Sequence, residues 1–232
     1  MKTKAILLSA GKGTRMNQSV SKQYLMLGNQ TILSYSLEQF QKSSIDEIIL
    51  VTAQEDIEYV KNNIVLPHKI NKVTKIVAGG QERYLSVYQG LLAAQNCDYV
   101  MIHDGARPFL TIDIIEDSIR AVQKYQACAV GVPLKDSIKK LGREGYIVEN
   151  IERTDVWQVQ TPQCFSYPMI LGAYEKLLQS DIKTTDDTAV VEYFTEVKVK
   201  MLMGSYENIK ITTPEDMDVA HTFIKKFINE TN

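Results

Sequence analysis

The sequence predicts an α/β fold: a single Rossmann-like domain with a mainly parallel sheet flanked by helices, plus a protruding β-hairpin. Three observations predict it. Short apolar runs alternate with segments of helical periodicity as far as Pro133, which is typical of βαβ units. The first run, at 5–8, is continuous and is followed by glycines, as in strands buried on both faces. After Pro133 two extended runs flank a glycine-containing turn, which indicates the hairpin.

Each predicted strand is a short apolar or alternating run bounded by polar residues or glycine. Residues 24–29 form a brief extended piece and a turn. No internal repeat or low-complexity linker divides the chain, so residues 1–232 are predicted to form one domain. The strands are predicted at 5–8, 45–51, 72–78, 99–103, 128–132, 157–165 and 197–203.

Each predicted helix repeats apolar residues at helical spacing, as Leu33, Leu37 and Phe40 do in the first one. Thr184 or Thr185 is the predicted N-cap of the sixth helix. Pro214 lies in the first turn of the last helix, a position that proline favours. The helices are predicted at 31–41, 56–63, 83–95, 112–125, 168–178, 187–193 and 214–228.

The predicted hairpin consists of extended runs at 137–141 and 146–151 around the turn Gly142-Arg143-Glu144-Gly145. A lone hairpin is only marginally stable in water, so it must pack on something. Two placements remain open at this point. The hairpin is either an arm that meets a second subunit or an ordinary edge of the main sheet.

The composition excludes several classes of protein. A net charge of −2 argues against a broad nucleic-acid footprint. The three cysteines are far apart in apolar stretches, which indicates buried thiols in a reducing compartment. They form no ligand cluster with the three histidines, so a zinc site is not expected. Met1 leads directly toward the first strand without a signal peptide or membrane-spanning run, which predicts a cytoplasmic protein with no membrane partner.

The loop after the first strand, Ser9-Ala10-Gly11-Lys12-Gly13, is predicted to bind a polyphosphate. Its glycines allow close approach of the backbone, and consecutive N–H groups form a concave anion site. Arg15 and Lys22 follow with further positive charge. The alternative is an ordinary βα turn with solvated lysines.

Two familiar phosphate-binding motifs do not fit this loop. The P-loop would need glycine at Ile6, and Ser or Thr at Gly13. The dinucleotide pattern G-x-G-x-x-G has Met16 at its last glycine. Any nucleotide site here therefore belongs to another class.

Other polar loops follow strand ends, where doubly wound sheets bind ligands. Asp104 ends a buried strand, and its carboxylate can hold Mg²⁺ beside substrate phosphates. The alternative for Asp104 is a helix cap or an ion-pair partner of Arg107. Arg83 and Ser86 open a helix whose N–H groups can meet a base or a phosphate, although Arg83 could equally be a surface residue. His103 is expected to be a packed histidine.

No nucleophile and general base are evident, and this is informative if the acceptor is itself a phosphate. A phosphate monoester is largely dianionic at neutral pH and needs no base to attack phosphorus. The catalyst must instead hold two repelling anions together, which cations and Mg²⁺ can do.

The chain resembles the 2-C-methyl-D-erythritol 4-phosphate cytidylyltransferase family, in the sugar-phosphate nucleotidyltransferase superfamily, over essentially its whole length. The resemblance implies a homodimer interlocked by the β-arm at about 137–151, with CTP and a sugar-alcohol phosphate as substrates and Mg²⁺ as cofactor. The motifs that carry it are SAGKGTRM with SKQYL, GGQERYLSV, HDGARPF, KDSIKK, WQVQTPQCF, TTDD and ENIKITTPEDM.

Matched motif by motif, the resemblance also implies residue roles. Arg15 and Lys22 would stabilise the α-phosphate, and Asp104 would help hold Mg²⁺ and the substrate. Position 9 is Ser where the family often has Ala, and position 137 is Ser where it often has Thr. The cytosine would be read by Ser9, Ala10, Gly80 and Ser86. The sugar phosphate would be surrounded by Arg107, Ser137, Arg153, Thr161 and Lys210, with Ser137 and Arg153 contributed across the dimer.

Two rival functions remain at the level of sequence. Ribitol-5-phosphate cytidylyltransferase is a close relative with the same chemistry and a slightly different acceptor. A non-catalytic nucleotide-binding regulator is a rival of another class. It is disfavoured because a sensor does not need the transition-state cations Arg15 and Lys22.

Overall fold

The computed structural model describes residues 1–11 and 21–231. A seven-stranded sheet forms the centre of the fold, and two pairs of strands form small separate sheets. The strands are Thr3–Ser9 (β1), Met26–Leu27 (β2), Gln30–Thr31 (β3), Glu47–Thr52 (β4), Val73–Ala78 (β5), Tyr99–Asp104 (β6), Ala127–Pro133 (β7), Ile138–Leu141 (β8), Ile147–Ile151 (β9), Trp157–Ser166 (β10) and Lys200–Met203 (β11).

The helices lie at the positions that apolar periodicity predicts, with small differences at their ends except in the second. Of the predicted 56–63, only Ile57–Val60 is α-helical, and the chain continues in a wider helical turn over Lys61–Val65. Short helical turns also occur at Lys22–Tyr24, Gln54–Asp56 and Lys61–Val65. The α-helices are Ile32–Lys42 (α1), Ile57–Val60 (α2), Arg83–Ala93 (α3), Ile112–Tyr125 (α4), Tyr167–Leu177 (α5), Asp187–Phe194 (α6) and Pro214–Thr231 (α7).

The order of the main sheet is β11-β7-β10-β6-β1-β4-β5. Every neighbouring pair is parallel except the two that β10 makes with β6 and β7. The prediction of a mainly parallel α/β sheet is therefore confirmed. Because β1, β4, β5 and β6 run in the same direction, the loops after them meet at one edge of the sheet, where such folds bind ligands.

Side chains alternate between the two faces of the sheet, and each face is covered by a different set of helices. In β1, Leu7 belongs to the buried cluster that contains Leu37 and Phe40 of α1. Ile6 belongs to the cluster on the other face, which contains Val87 of α3 and Tyr174 of α5. This alternation follows from the two-residue period of a strand. A third cluster joins α7 to β2 and α1.

The predicted N-cap of α6 is wrong. The cap is Asp186, whose side chain accepts a hydrogen bond from the backbone N–H of Ala189 at 3.1 Å. Thr184 and Thr185 precede it. A carboxylate at the cap also suits the positive end of the helix dipole, so Asp186 satisfies the same need that predicted a threonine.

Strands β8 and β9 pair only with each other and form a two-stranded sheet of their own. The hairpin is therefore not an edge of the main sheet, which removes one of its two predicted placements. Its apolar side chains are largely exposed within the chain, and Tyr146, for example, is 74% exposed. The side chains so exposed are Leu141, Tyr146, Ile147 and Val148.

The cysteines are free thiols. Cys128 and Cys164 lie opposite each other on β7 and β10 and are buried, and burial raises the pKa of Cys164 well above its ordinary value. Cys97 is half-buried. Among the described helices, none is both long enough and apolar enough to cross a membrane.

Candidate active site

Two adjoining cavities lie at the carboxyl edge of the sheet. The larger has a volume of about 460 Å³ and is lined by the loops after β1 and β5 and by the start of α3. The smaller, about 190 Å³, lies beside β10 and the loop before α6. The residues that line both cavities are Arg83, Asp104 and Lys210.

The larger cavity contains most of the described residues that the sequence predicts for the nucleotide. Lys22 lies in a short helical turn and is almost buried, at 9% exposure, rather than in an open loop. Lys12, Gly13 and Arg15 lie outside the described residues. The predicted residues that line this cavity are Ser9, Ala10, Gly11, Lys22, Gly80, Arg83, Ser86, Asp104 and Lys210.

Gly80 and Ser86 lie at one wall of this cavity. The backbone N–H of Gly80 donates to Ser86 Oγ at 3.1 Å, which ties the loop after β5 to the first turn of α3. A Cβ atom on Gly80 would lie 2.3 Å from Cβ of Leu85. Glycine is required here because the loop passes too close to the helix for a side chain.

Asp104 lies at the junction of the two cavities and is held by cations. Its Oδ1 accepts from Arg83 Nε at 3.2 Å, and its Oδ2 pairs with Lys210 Nζ at 2.7 Å. Burial alone would raise the pKa of this carboxyl, but the charges of Arg83, Lys210 and Arg107 lower it well below its ordinary value. Asp104 is therefore ionised. It is neither a helix cap nor a direct ion-pair partner of Arg107.

The smaller cavity contains Arg107 and Thr161, which the sequence predicts for the acceptor. Arg107 is 8% exposed, and its Nη1 donates to the carbonyl oxygen of Asn208 at 2.6 Å. Its Nε has no hydrogen-bond partner among the described residues. A buried guanidinium with a donor to spare is suited to bind an anion, since an unpaired buried donor is costly.

His103 is packed beneath the site, as predicted, and connects the residues around it. Thr161 Oγ1 accepts from the backbone N–H of Asp104 at 3.1 Å and lies 3.0 Å from His103 Nδ1. The carbonyl oxygen of Arg107 can only accept, so the neutral ring donates to it from Nε2 at 3.3 Å and accepts the Thr161 hydroxyl at Nδ1. Burial lowers the pKa of His103 to about 4, so the ring is neutral. Both of its nitrogens are occupied by Thr161 and Arg107, so neither is available as a general base toward a substrate.

Ser137 and Arg153 do not line either cavity. Both are exposed at the base of the hairpin, where Arg153 Nη1 donates to the carbonyl oxygen of Lys135. Within one chain the structure therefore does not bring these two predicted residues together with Arg107, Thr161 and Lys210.

Several residues that shape the site were not predicted from the sequence. Gln23 is buried and donates from Nε2 to the carbonyl oxygens of Ser9 and Gly11, which fixes the loop after β1. Asp187 forms a two-bond fork with Arg83. Both lie in motifs that carry the family resemblance, SKQYL and TTDD, and this was the only signal available for them.

The oxygen chemistry at the junction fits a divalent cation. The described residues contain no group of three His, Cys, Asp or Glu side chains that could hold a metal by themselves. Mg²⁺, however, is commonly held by one or two carboxylates with substrate phosphates and water. The carboxylate of Asp104 retains lone pairs beyond those that face Arg83 and Lys210, and it lies between the two cavities.

Comparison with known proteins gives a consistent result. Residues 3–226 match the family model for 2-C-methyl-D-erythritol 4-phosphate cytidylyltransferase. The chain is 48% identical over 227 residues to the protein of that name from Clostridium botulinum (strain ATCC 19397 / Type A), covering 97% of this chain and 98% of the relative. It is 46% identical over 222 residues to that of Clostridium kluyveri (strain NBRC 12016), covering 95% and 96%.

Solved structures agree with the sequence comparison. The crystal structure of 4-diphosphocytidyl-2C-methyl-D-erythritol synthase from Anaerococcus prevotii DSM 20548 superposes with a TM-score of 0.86 at 34% identity, covering 97% of this chain and 96% of that chain. The 2-C-methyl-D-erythritol 4-phosphate cytidylyltransferase of Francisella tularensis superposes with a TM-score of 0.80 at 27% identity, covering 96% and 99%.

Proposed function

Because the chain belongs to the 2-C-methyl-D-erythritol 4-phosphate cytidylyltransferase family, we propose that its larger cavity binds CTP and its smaller cavity binds the acceptor phosphate. The activity of this family is the transfer of CMP from CTP to 2-C-methyl-D-erythritol 4-phosphate, which yields 4-diphosphocytidyl-2-C-methyl-D-erythritol and pyrophosphate in isoprenoid biosynthesis by the MEP pathway. The observation that carries the assignment of the cavities is their junction at Arg83, Asp104 and Lys210.

The larger cavity has groups suited to a base and to phosphates. Ser9, Gly80 and Ser86 offer small side chains and backbone polar groups at one cavity wall, where they read the cytosine. The loop at 9–13 and Lys22 bind the triphosphate, with Arg15 contributing further charge. Backbone N–H groups and cations together are the usual means of binding a polyphosphate.

The acceptor phosphate is held by Arg107, Thr161 and Lys210. An oxygen of this phosphate attacks the α-phosphorus of CTP, the bond from that phosphorus to the pyrophosphate oxygen breaks, and pyrophosphate leaves. The acceptor is largely dianionic near neutral pH, so no base has to remove a proton from it. Lys22, Arg15 and Lys210 act by holding two anions in line and by stabilising the charge that develops on the α-phosphate.

Asp104 would hold Mg²⁺ at the junction of the cavities. Such an ion would offset negative charge on the substrate phosphates, and the carboxylate of Asp104 would hold it at this edge of the sheet. Lys210 keeps the carboxylate of Asp104 oriented toward the junction through its 2.7 Å ion pair. The family is consistent with use of a divalent metal, and oxygen donors favour Mg²⁺ among the common ones.

The functional protein is a homodimer in the cytoplasm, and its partner subunit supplies Ser137 and Arg153. This is supported by the exposure of both residues away from their own chain's cavities and by the exposed apolar side chains of the hairpin. We also propose that residues 1–232 form one domain, which is supported by the presence of β1 and β11 in the same sheet.

Release of pyrophosphate tests the proposed function. The chain is incubated with CTP and Mg²⁺ and with 2-C-methyl-D-erythritol 4-phosphate or ribitol 5-phosphate in turn. We expect turnover with the first acceptor and far less with the second. Preference for ribitol 5-phosphate would contradict the acceptor assignment, and turnover that is equal with no acceptor would contradict transfer itself.

A further inference from the structure

The guanidinium of Arg83 is held by two carboxylates at once. Its Nη1 and Nη2 donate to Asp187 Oδ1 and Oδ2 at 2.9 Å each, while its Nε donates to Asp104 Oδ1 at 3.2 Å. The fork to Asp187 is the strong bidentate arrangement, and the contact with Asp104 is single and longer. Arg83 therefore connects a residue of the catalytic junction to one that lines neither cavity.

Asp187 is fully buried, and a buried carboxylate requires partners that compensate its charge. Its exposure is 0%, and its Oδ1 also accepts from the Tyr174 hydroxyl at 2.5 Å. An isolated buried carboxylate is costly, so it persists only where it is paired and hydrogen-bonded. Capping of α6 does not explain it, because the neighbouring Asp186 caps that helix.

The consequence of this arrangement is a restraint on Arg83. Without the charge of Asp187, the guanidinium would be free to turn its fork onto Asp104, which lies within reach of its Nε. A bidentate pair there would compete for the carboxylate oxygens with Lys210 Nζ, which pairs with Oδ2 at 2.7 Å. Asp187 prevents this because it occupies both terminal nitrogens of Arg83.

We propose that Asp187 is a positioning residue for CMP transfer: it clamps Arg83, so that Asp104 is presented to Lys210 and to the junction of the two cavities. The proposal deepens the proposed function, since it concerns the same site. Tyr174 supports the clamp, because its hydroxyl fixes one carboxylate oxygen of Asp187. The alternative is that the pair of Arg83 and Asp187 only holds α3 against α6 and has no effect on catalysis.

The test is the kinetic behaviour of Asp187→Asn, which keeps the shape of the side chain and removes its charge. We expect kcat to fall on the order of tenfold or more, because a small misplacement of a catalytic group has effects of that size. The KM for CTP should change by less than about threefold, since the loss lies in positioning rather than in uniform binding. A kcat within twofold of the parent, in folded protein, would overturn the proposal.

Glu47→Gln is the matched control. Glu47 also pairs between elements, with Lys4 Nζ at 3.1 Å, but it begins β4 at the edge of the sheet opposite the site. This variant should lose thermal stability while its kcat stays within twofold of the parent. An equal fall of kcat in both variants would show that lost stability alone explains the effect and would overturn the proposal.

Arg83→Lys separates the effect of the fork between Arg83 and Asp187 from the effect of a positive charge at position 83. A lysine keeps one positive charge beside Asp104 but cannot form the fork to Asp187. Arg83→Lys should itself lower kcat, but the double variant with Asp187→Asn should be no slower than Asp187→Asn alone, because without a guanidinium no fork can turn onto Asp104 and compete with Lys210. Effects that multiply in the double variant would contradict the clamp.

A spectroscopic readout does not depend on turnover. In protein labelled with ¹⁵N-arginine, Arg83→Lys identifies the Nε–H resonance of Arg83. This resonance should shift and exchange faster in Asp187→Asn and stay in place in Glu47→Gln. An unchanged resonance in Asp187→Asn would contradict the proposal even if the parent failed to transfer CMP.

If Asp187→Asn does not fold, Tyr174→Phe tests the positioning role of Asp187 instead. It keeps the charge of Asp187 and removes only the 2.5 Å hydrogen bond. We expect kcat to fall about threefold with an unchanged KM for CTP, because the fork between Asp187 and Arg83 is kept and only its support by Tyr174 is lost. A kcat equal to that of the parent, together with an unmoved Arg83 resonance, would overturn the proposal.

Discussion

Single residues of the site are held by partners that are distant in sequence. Asp104 and Lys210 meet across more than a hundred positions, and Arg83 reaches Asp187 over a similar separation. Their charges are matched in pairs, which keeps the buried site stable before substrate arrives. Lys210 and Arg107, which line the smaller cavity, are therefore held in place before phosphate binds, as the proposed electrostatic catalysis requires.

Lys22→Met should cut kcat by a factor on the order of a hundred or more, as removal of one electrostatic stabiliser does. Methionine is chosen because Lys22 is almost buried and its aliphatic part packs. The measurement is pyrophosphate release at saturating CTP and acceptor, with thermal unfolding as the control for folding. Near-parental turnover would remove Lys22 from the mechanism.

His103 makes stability depend on pH. Its pKa is lowered to about 4 in the folded chain by burial, from an ordinary value near 6.5, so the unfolded chain binds more protons between these values. The stabilisation is complete above pH 6.5 and is lost as the pH falls toward 4. It should amount to about 3 kcal/mol of unfolding free energy.

Urea unfolding at pH 7 and pH 4 checks this prediction, with His103→Gln as the comparison. The variant should lose less unfolding free energy on acidification than the parent, by roughly 2–3 kcal/mol. Equal losses in the two proteins would show that His103 does not titrate in this range.

The sequence predicts the site residues that follow strand ends. It does not predict the residues whose contacts keep those side chains in place. Asp104 and Arg107 were found because they come directly after a buried apolar run, where α/β sheets bind ligands. Asp187 begins a helix, and its pairing with Arg83 depends on how α3 and α6 pack, which no local pattern reports. The N-cap of α6 could not be predicted for a similar reason. Thr185 and Asp186 both have side chains that can cap a helix, and no local pattern decides between them.

At the scale of elements, close packing of α3 on β1 positions Arg83 and Ser86. Gly90 of α3 lies against Ile6, and a Cβ atom there would be 2.4 Å from Ile6 Cγ2. The helix can approach the sheet this closely only without a side chain. The predicted bounds of α3 came from apolar periodicity, but this approach could not be predicted, because it depends on tertiary packing.

Gly90→Ala should destabilise the protein by about 1–3 kcal/mol, because overpacking outweighs the better helix propensity of alanine. Gly172→Ala is the matched control in α5, where a Cβ atom would meet nothing within 4 Å. It should stabilise by about 0.5–1 kcal/mol. Chemical denaturation measures both, and a stabilised Gly90→Ala would contradict the packing argument.

At the scale of the whole molecule, the hairpin is the feature that one chain leaves unexplained. It is a separate two-stranded sheet with exposed apolar side chains, and such a hairpin is marginal alone. In the proposed homodimer, a second copy of the chain packs on this arm and covers these apolar side chains. Ser137 and Arg153 would then contribute to the partner's cavity.

Replacing residues 139–150 by a Gly-Gly turn should yield a monomer in sedimentation analysis. The cut is made where Lys139 and Asn150 pair, so the chain ends are already close. A second variant replaces Tyr146, Ile147 and Val148 by serine, which removes apolar side chains but keeps the strands. Dimers that persist in both variants would contradict the assignment of the arm.

In the proposed mechanism, the two adjoining cavities hold the two substrates on either side of Asp104. A crystal structure with CTP and 2-C-methyl-D-erythritol 4-phosphate, taken without divalent metal to prevent turnover, tests it most directly. We expect the cytosine beside Ser86 and Gly80, and the acceptor phosphate within hydrogen-bond distance of Arg107 in the smaller cavity. An acceptor phosphate bound away from Arg107 and Thr161, or a triphosphate in the smaller cavity, would contradict this assignment of the two cavities.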